Sequence, residues 1–286
     1  GAGLGWPVGV AGLGASWARP FGGSEGFMEV RDTALLHHLQ ALLDASHKAS
    51  SNWTRDRGCK KHGINCCSLQ CAANNPVPVP KRYLLQRAIC NQSAFLWRRY
   101  ALARCCVAEE CSGPTSAGGS ELPRFAASTQ PSAFTFNLDE GLWAGCNEWR
   151  LFHGASEEAC LGILASGFRV ELAGTGATWR ERGKARGTPL YGFGIYFADK
   201  ITKADEYARP SQSDGGLCCV LLCRATLGRL NVVTSNEVDL ERLRADVFCG
   251  PYHSVLGDRT ASLGKPYREV VAYDRDLVYP ELLLVY

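Results

Sequence analysis

No stretch of the 286-residue chain approaches the ~20 consecutive apolar residues that a membrane-spanning helix needs, so a membrane partner is not expected. Excess charge is lacking as well. Lys and Arg number 31 against 28 Asp and Glu, a formal net charge of +3, and the basic residues are scattered. A dedicated nucleic-acid groove ordinarily shows as a basic stripe, which makes nucleic acid an unlooked-for partner. There is no internal repeat. The apolar opening GAGLGWPVGVAGLGASWARP has no basic start and reads poorly as a signal peptide. Beginning on Gly1, the sequence reads as a fragment or a processed chain.

A hydrophobic fraction of 46% with 21% charged residues describes an ordinary globular chain, long enough to bury a core without staples. Of the 14 cysteines, Cys218, Cys219 and Cys223 sit in the apolar run LCCVLLC, where cysteine acts as a small hydrophobe. Adjacent pairs (Cys66-Cys67, Cys105-Cys106, Cys218-Cys219) fit a disulfide framework badly. A reducing, intracellular setting, nuclear or cytoplasmic, is expected. Asn52 and Asn91 match the glycosylation pattern, which means nothing without secretion.

Residues 1–30 are Gly-rich and aperiodic and read as a tail or linker. Residues 31–77 hold a helix, with Thr33 as cap and Leu35, Leu36, Leu39, Leu42 and Leu43 on one face, and then a cysteine-dense segment closed by prolines. From residue 78 onward strands and short helices alternate without a βαβ rhythm, which predicts an α+β fold with antiparallel sheets. KRYLLQRAI, YGFGIYFA, LCCVLLCRATLG, REVVAYD and ELLLVY read as strands and FLWRRYALARC as a short helix. Residues 112–134 read as a surface loop. Ser156 is placed to cap one helix that ends at Gly167. Thr202 and Asp205 suggest a capping box for another, closed by Pro210. GFG within YGFGIYFA lacks the third glycine of a dinucleotide fingerprint and opens a strand, so that reading fails on context.

Taken singly, a His after an apolar strand, a Tyr within a strand or a Glu at a strand end is more often structural than functional. The ordered set is more specific. YLLQRAICNQSAFLWRRY at 83–100, NEWRLFHG at 147–154, YGFGIYFA at 191–198, YHSVLG at 252–257, YREVVAYD at 267–274 and YPELLLVY at 279–286 together resemble the poly(ADP-ribose) polymerase catalytic domain, a His-Tyr-Glu ADP-ribosyltransferase related to diphtheria toxin. The resemblance covers roughly residues 78–286, and the lead-in LLDASHKASSNWTRDRG is similar to that of protist and algal members.

The resemblance implies the ADP-ribosyltransferase fold, split antiparallel sheets with short flanking helices and an NAD cleft between them. It implies NAD as co-substrate, nicotinamide release, and a protein acceptor. By position it assigns His153 to the adenine-side ribose and the Gly154 backbone to the nicotinamide carboxamide. Tyr196 falls to the nicotinamide-ribose side and Tyr207 to stacking on nicotinamide. Gly162 and Arg169 fall at the adenosine end, and Glu269 matches the catalytic glutamate, with Tyr273 four residues later. A carboxylate beside an oxocarbenium-like ribose stabilises its developing charge, which gives the glutamate a physical role.

Two positions depart from the family pattern: Ala204 stands where a serine hydroxyl usually binds the carboxamide, and Ala155 replaces Ser or Thr. Glutamate at 269 permits poly(ADP-ribose) formation without requiring it. The alternatives are a catalytically weak NAD-binding module and an NAD glycohydrolase. The loop 170–190, with Arg180, Arg182, Lys184 and Arg186, covers the expected donor side; a solvated loop is the blander reading. Cys59, His62, Cys66, Cys67 and Cys71 offer zinc ligands, though C-x3-C is irregular, and a metal-free cysteine-rich loop is the other reading.

Overall fold

A computed structural model describes residues 26–48, 57–62, 69–112, 142–173, 189–211, 215–235, 237–258, 260, 264 and 266–286. Residues 1–25, Asn52, Cys66, Cys67, the 113–134 segment and the arginines of the 174–188 stretch lie outside them.

Among the described residues, nine strands form two sheets. The first has the order β1 (Phe27–Glu29), β2 (Arg87–Asn91), β9 (Val278–Val285), β5 (Cys219–Thr226), β3 (Glu148–Gly154) and is antiparallel throughout. The second has the order β4 (Ile195–Phe197), β8 (Glu269–Ala272), β7 (Ser254–Gly257), β6 (Leu230–Val233). Its β6–β7 pair is parallel, and helix α6 (Leu240–Phe248) makes the crossover. Antiparallel sheets were expected, and this pair is the exception among the described strands. The difference follows from connection length, since parallel neighbours need a crossover of about a dozen residues and 234–253 supplies one. The fold remains α+β.

Every residue of β5 and β9 is buried, because both faces of this sheet are covered. On one face Leu221, Cys223, Ala225, Leu283 and Val285 meet Cys160 and Leu164 of α4 (Glu157–Ser166), together with Ile195, Phe197, Val270 and Ala272 from the second sheet. On the other face Val220, Leu222, Leu282 and Leu284 meet Leu35, Leu39 and Leu43 of α1 (Thr33–Ser46). The buried cysteines of β5 are packing groups, and burial drives the Cys223 thiol well above its ordinary range. None of the described cysteines is in a disulfide. Pro280, which cannot donate to a ladder, sits where the β5–β9 register slips between Leu222 and Cys223.

Several local expectations shift. The cap of α1 is Asp32, whose carboxylate accepts the Leu35 N–H at 2.8 Å, rather than Thr33. The helix begun at Ala94 runs to Ser112 as α3. Ser156 and Gly167 bound α4 as expected, the glycine at φ 80°. Thr202 is not a cap. It lies buried inside the single turn α5 (Ile201–Ala204), and its hydroxyl accepts the Lys48 N–H at 2.8 Å. The Asn91 side chain is buried and donates to the Leu164 carbonyl at 3.1 Å, which removes it as a glycan acceptor. Among the described residues no helix is long and apolar enough to cross a membrane.

Candidate active site

The two sheets touch where β3 leaves the first. Phe152 and Ala198 exchange both backbone hydrogen bonds, N–H to C=O, at 2.9 Å each. β3 is an edge strand, and alternate residues direct both backbone groups to the same side. Gly154, two residues past Phe152, therefore turns its N–H and C=O to that same outer edge, beyond the bridge. The position also demands glycine: a Cβ there would fall 1.8 Å from the carbonyl oxygen of Ala204. The end of β3 thus lies directly against α5.

His153 is half-buried and oriented from two sides. Its Nδ1 lies 2.8 Å from the Tyr196 carbonyl, so that nitrogen carries the proton and Nε2 is left as the acceptor. Phe168 and Phe197 meet its ring edge-on at 5.0 and 5.8 Å. Burial pushes the imidazole below the ordinary histidine range, more than the bond to Tyr196 offsets. The ring is neutral at neutral pH.

Tyr196 pairs with Val271 across β4–β8, and Glu269 stands two residues from Val271 on the same strand. With side chains alternating along a strand, Tyr196, Val271 and Glu269 share one face, opposite the face that Ile195, Phe197, Val270 and Ala272 bury in the core. Burial, followed by the Glu269 charge, raises the Tyr196 phenol well above its ordinary value. Its hydroxyl donates to the Gly192 carbonyl at 2.8 Å and accepts the Tyr191 N–H at 3.0 Å, tying down the approach to β4.

From α5, Lys203 reaches across to this face. Its ammonium lies 3.5 Å from Glu269 Oε1, 2.8 Å from Glu206 Oε2 and 5.2 Å from the Tyr207 ring centre. Ala204 is buried, and Tyr207 is half-buried just past α5, its N–H bonded to the Ala204 carbonyl at 3.0 Å. His153, Gly154, Tyr196, Ala204, Tyr207 and Glu269 are therefore connected through direct contacts or single neighbours. Ala155 packs at the rim of the core. Gly162 lies on the exposed side of α4, where a Cβ would meet no atom within 4 Å. Arg169 follows Phe168 and is exposed, paired at 2.8 Å with Glu171. Among the described residues, the hydrogen bonds and ion pairs of Gly162 and Arg169 lead to Ser166 and Glu171 rather than to the other site residues.

Three neighbours of the site had been given no role of their own: Lys203, which stands in none of the quoted motifs, and Tyr191 and Tyr273, which lie within them. Tyr191 covers Gly257 so closely that a Cβ on the glycine would fall 2.1 Å from its ring, and Gly257 pairs with Glu269. Tyr273 donates its hydroxyl to the Tyr191 carbonyl, completing that wall.

Residues 121–258 match the family model of the poly(ADP-ribose) polymerase catalytic domain. This match, just under half of the chain, supports a poly(ADP-ribose) polymerase-type catalytic domain. Over 130 residues it is 25% identical to the poly(ADP-ribose) polymerase tankyrase of Caenorhabditis elegans, a match covering 46% of this chain and 4% of that protein. The likeness is thus to one domain of a much longer polypeptide. The matched range includes His153, Tyr196, Ala204 and Tyr207 and ends before Glu269, which the poly(ADP-ribose) polymerase resemblance and the β4–β8 register place beside them.

Proposed function

We propose that this poly(ADP-ribose) polymerase-type domain is an active ADP-ribosyltransferase, taking NAD as donor substrate and a protein side chain as acceptor. The observation that carries the reading is the convergence of His153, Tyr196 and Glu269 at the junction of the sheets, beside the outward backbone edge of Gly154.

A carboxamide presents one acceptor oxygen and one donor amide, and the outward N–H and C=O of Gly154 complement both. The Tyr207 ring supplies a flat face for nicotinamide. The neutral His153, with Nε2 as acceptor, suits a hydroxyl of the adenine-side ribose. The resemblance assigns Gly162 and Arg169, exposed on α4 and the turn after it, to the adenosine end. With the donor held so, the bond between ribose C1′ and the nicotinamide nitrogen breaks, and its electron pair leaves with neutral nicotinamide. The Glu269 carboxylate faces the positive charge left on the ribose and stabilises it more than the ground state. The acceptor's lone pair closes the new bond to C1′, and its proton passes to Glu269 or to water. Lys203 holds the carboxylate in place from the opposite side.

Incubation with NAD labelled in the ADP-ribose half, with and without added protein acceptors, tests this. Label on protein, with a matching yield of nicotinamide, is the expected result, and a ladder of products would identify elongation. Free ADP-ribose with no labelled protein would indicate a glycohydrolase. Folded, NAD-binding protein that releases no nicotinamide would make the domain a binding module, a reading that Ala204 and the long loop 170–190 favour.

A further inference from the structure

We infer that Cys59, His62 and Cys71 bind a zinc ion that pins the segment carrying Arg57 beneath the α5 wall of the site. The three ligand atoms converge. Cys59 Sγ is 3.5 Å from His62 Nδ1, Cys71 Sγ is 3.4 Å from the same nitrogen, and the two sulfurs are 4.0 Å apart. Zinc lies ~2.3 Å from thiolate sulfur and ~2.0–2.1 Å from imidazole nitrogen, so a tetrahedral ion sets S···N edges of about 3.5–3.6 Å and an S···S edge of about 3.8 Å. The observed triangle is that of one face of such a tetrahedron. The sulfurs are far beyond the ~2.05 Å of a disulfide.

The backbone around the triangle is shaped for it. The His62 N–H points at Cys59 Sγ at 3.1 Å, a bond that offsets thiolate charge. Cys59 is fully buried and bridges to Pro76, and Lys60 donates to the Asn75 carbonyl at 2.9 Å. Asn75 in turn donates its backbone and side-chain N–H groups to the Cys71 carbonyl, both at 3.0 Å. Between the two arms, α2 (Leu69–Asn74) is only six residues long, too short to persist on helix propensity. Metal binding supplies the folding energy that so small a unit lacks.

What the unit holds in place is Arg57. Its guanidinium is buried 2.7 Å from Asp205 and donates to the Thr202 carbonyl at 2.6 Å, on the turn that carries Lys203, Ala204 and Tyr207. Asp205 also accepts the hydroxyls of Tyr83 at 3.2 Å and Tyr286 at 2.8 Å. The zinc site thereby braces the wall against which nicotinamide would lie, at a distance from the reacting atoms.

Elemental analysis of the purified chain tests the assignment, with Co²⁺ exchanged for zinc as a spectroscopic probe. One zinc per chain is expected, and the cobalt form should show tetrahedral d–d bands with thiolate-to-metal absorption. Cys71→Ser and His62→Ala, the latter at an exposed position, should lose the metal at least tenfold. Cys106→Ser, an exposed cysteine outside the triangle, should retain it. Removing the zinc should speed hydrogen exchange of the 201–208 amides. Protein that takes up neither zinc nor cobalt stoichiometrically, or full zinc retained in both Cys71→Ser and His62→Ala, would overturn the site.

Discussion

A single missing hydroxyl separates Ala204 from the serine that the poly(ADP-ribose) polymerase pattern has at that position. The Ala204 backbone lies against Gly154, so on the proposed binding mode an added hydroxyl is set beside the carboxamide. One hydrogen bond is worth about 1 kcal/mol, or roughly fivefold in affinity. Ala204→Ser should tighten nicotinamide binding by about that factor, as read by calorimetry; unchanged binding would place the carboxamide elsewhere. Gly154 has the opposite character. Its missing Cβ is filled by the backbone of Ala204, which cannot swing aside, so Gly154→Ala should cost on the order of 1–3 kcal/mol of stability by thermal unfolding. The ordered motifs named His153, Gly154, Tyr196 and Glu269, and the resemblance added Tyr207 by position. The contacts of Lys203, and of Tyr191 and Gly257 within their motifs, were not legible, because each matters across elements that no local pattern encodes.

At the scale of elements, the least legible feature is a buried charge network under the first sheet. Arg224, in the otherwise apolar β5, contacts Glu281 of β9 at 2.9 Å and Glu148 of β3 at 3.2 Å. Arg150 of β3 meets Glu281 at 2.7 Å, and Arg104 of α3 meets Glu148 at 3.2 Å. Tyr100 donates to Glu148 at 2.6 Å, and the Arg104 guanidinium lies over Trp97 at 5.3 Å. Burial alone would raise the Glu281 carboxyl; Arg150 and Arg224 outweigh it and hold the group at about 2, against an ordinary 4.5. A depressed carboxylate contributes its stability above its unfolded value and loses it as pH falls through its folded one. The contribution, about 3 kcal/mol, should therefore be full above pH 4.5 and gone near pH 2. Glu281→Gln should cost on the order of 3 kcal/mol at neutral pH and flatten acid unfolding across that window, as read by urea melts at several pH values. Strands β2, β4, β5, β8 and β9 were visible as runs in the sequence, whereas β1, β6 and β7 had not been read as strands. The pairing order, the β6–α6–β7 crossover and this network were not visible either, since all three depend on partners distant in sequence.

Over the whole molecule, the two sheets share one core, so His153 from the first and Tyr196 and Glu269 from the second are held in a fixed relation. The α+β class and the split sheets were readable from element rhythm and motifs together. The N-terminal part was less so: Phe27–Glu29, at the end of the stretch read as a tail, form β1 of the first sheet, and α1 of the lead-in is built into its outer core. Through Arg57 and Lys48 the lead-in also reaches α5, which extends the support of the site well beyond the motifs.

The central claim is that Glu269 stabilises charge arising only as the nicotinamide bond breaks. Single-turnover release of nicotinamide from NAD, compared between the parent chain and Glu269→Gln, tests it most directly. The charge-stabilising role predicts a rate lower by about 10²–10³-fold with NAD affinity changed little, since removing a transition-state contact lowers kcat rather than binding. Equal rates in the two proteins, or a loss confined to NAD affinity, would contradict it.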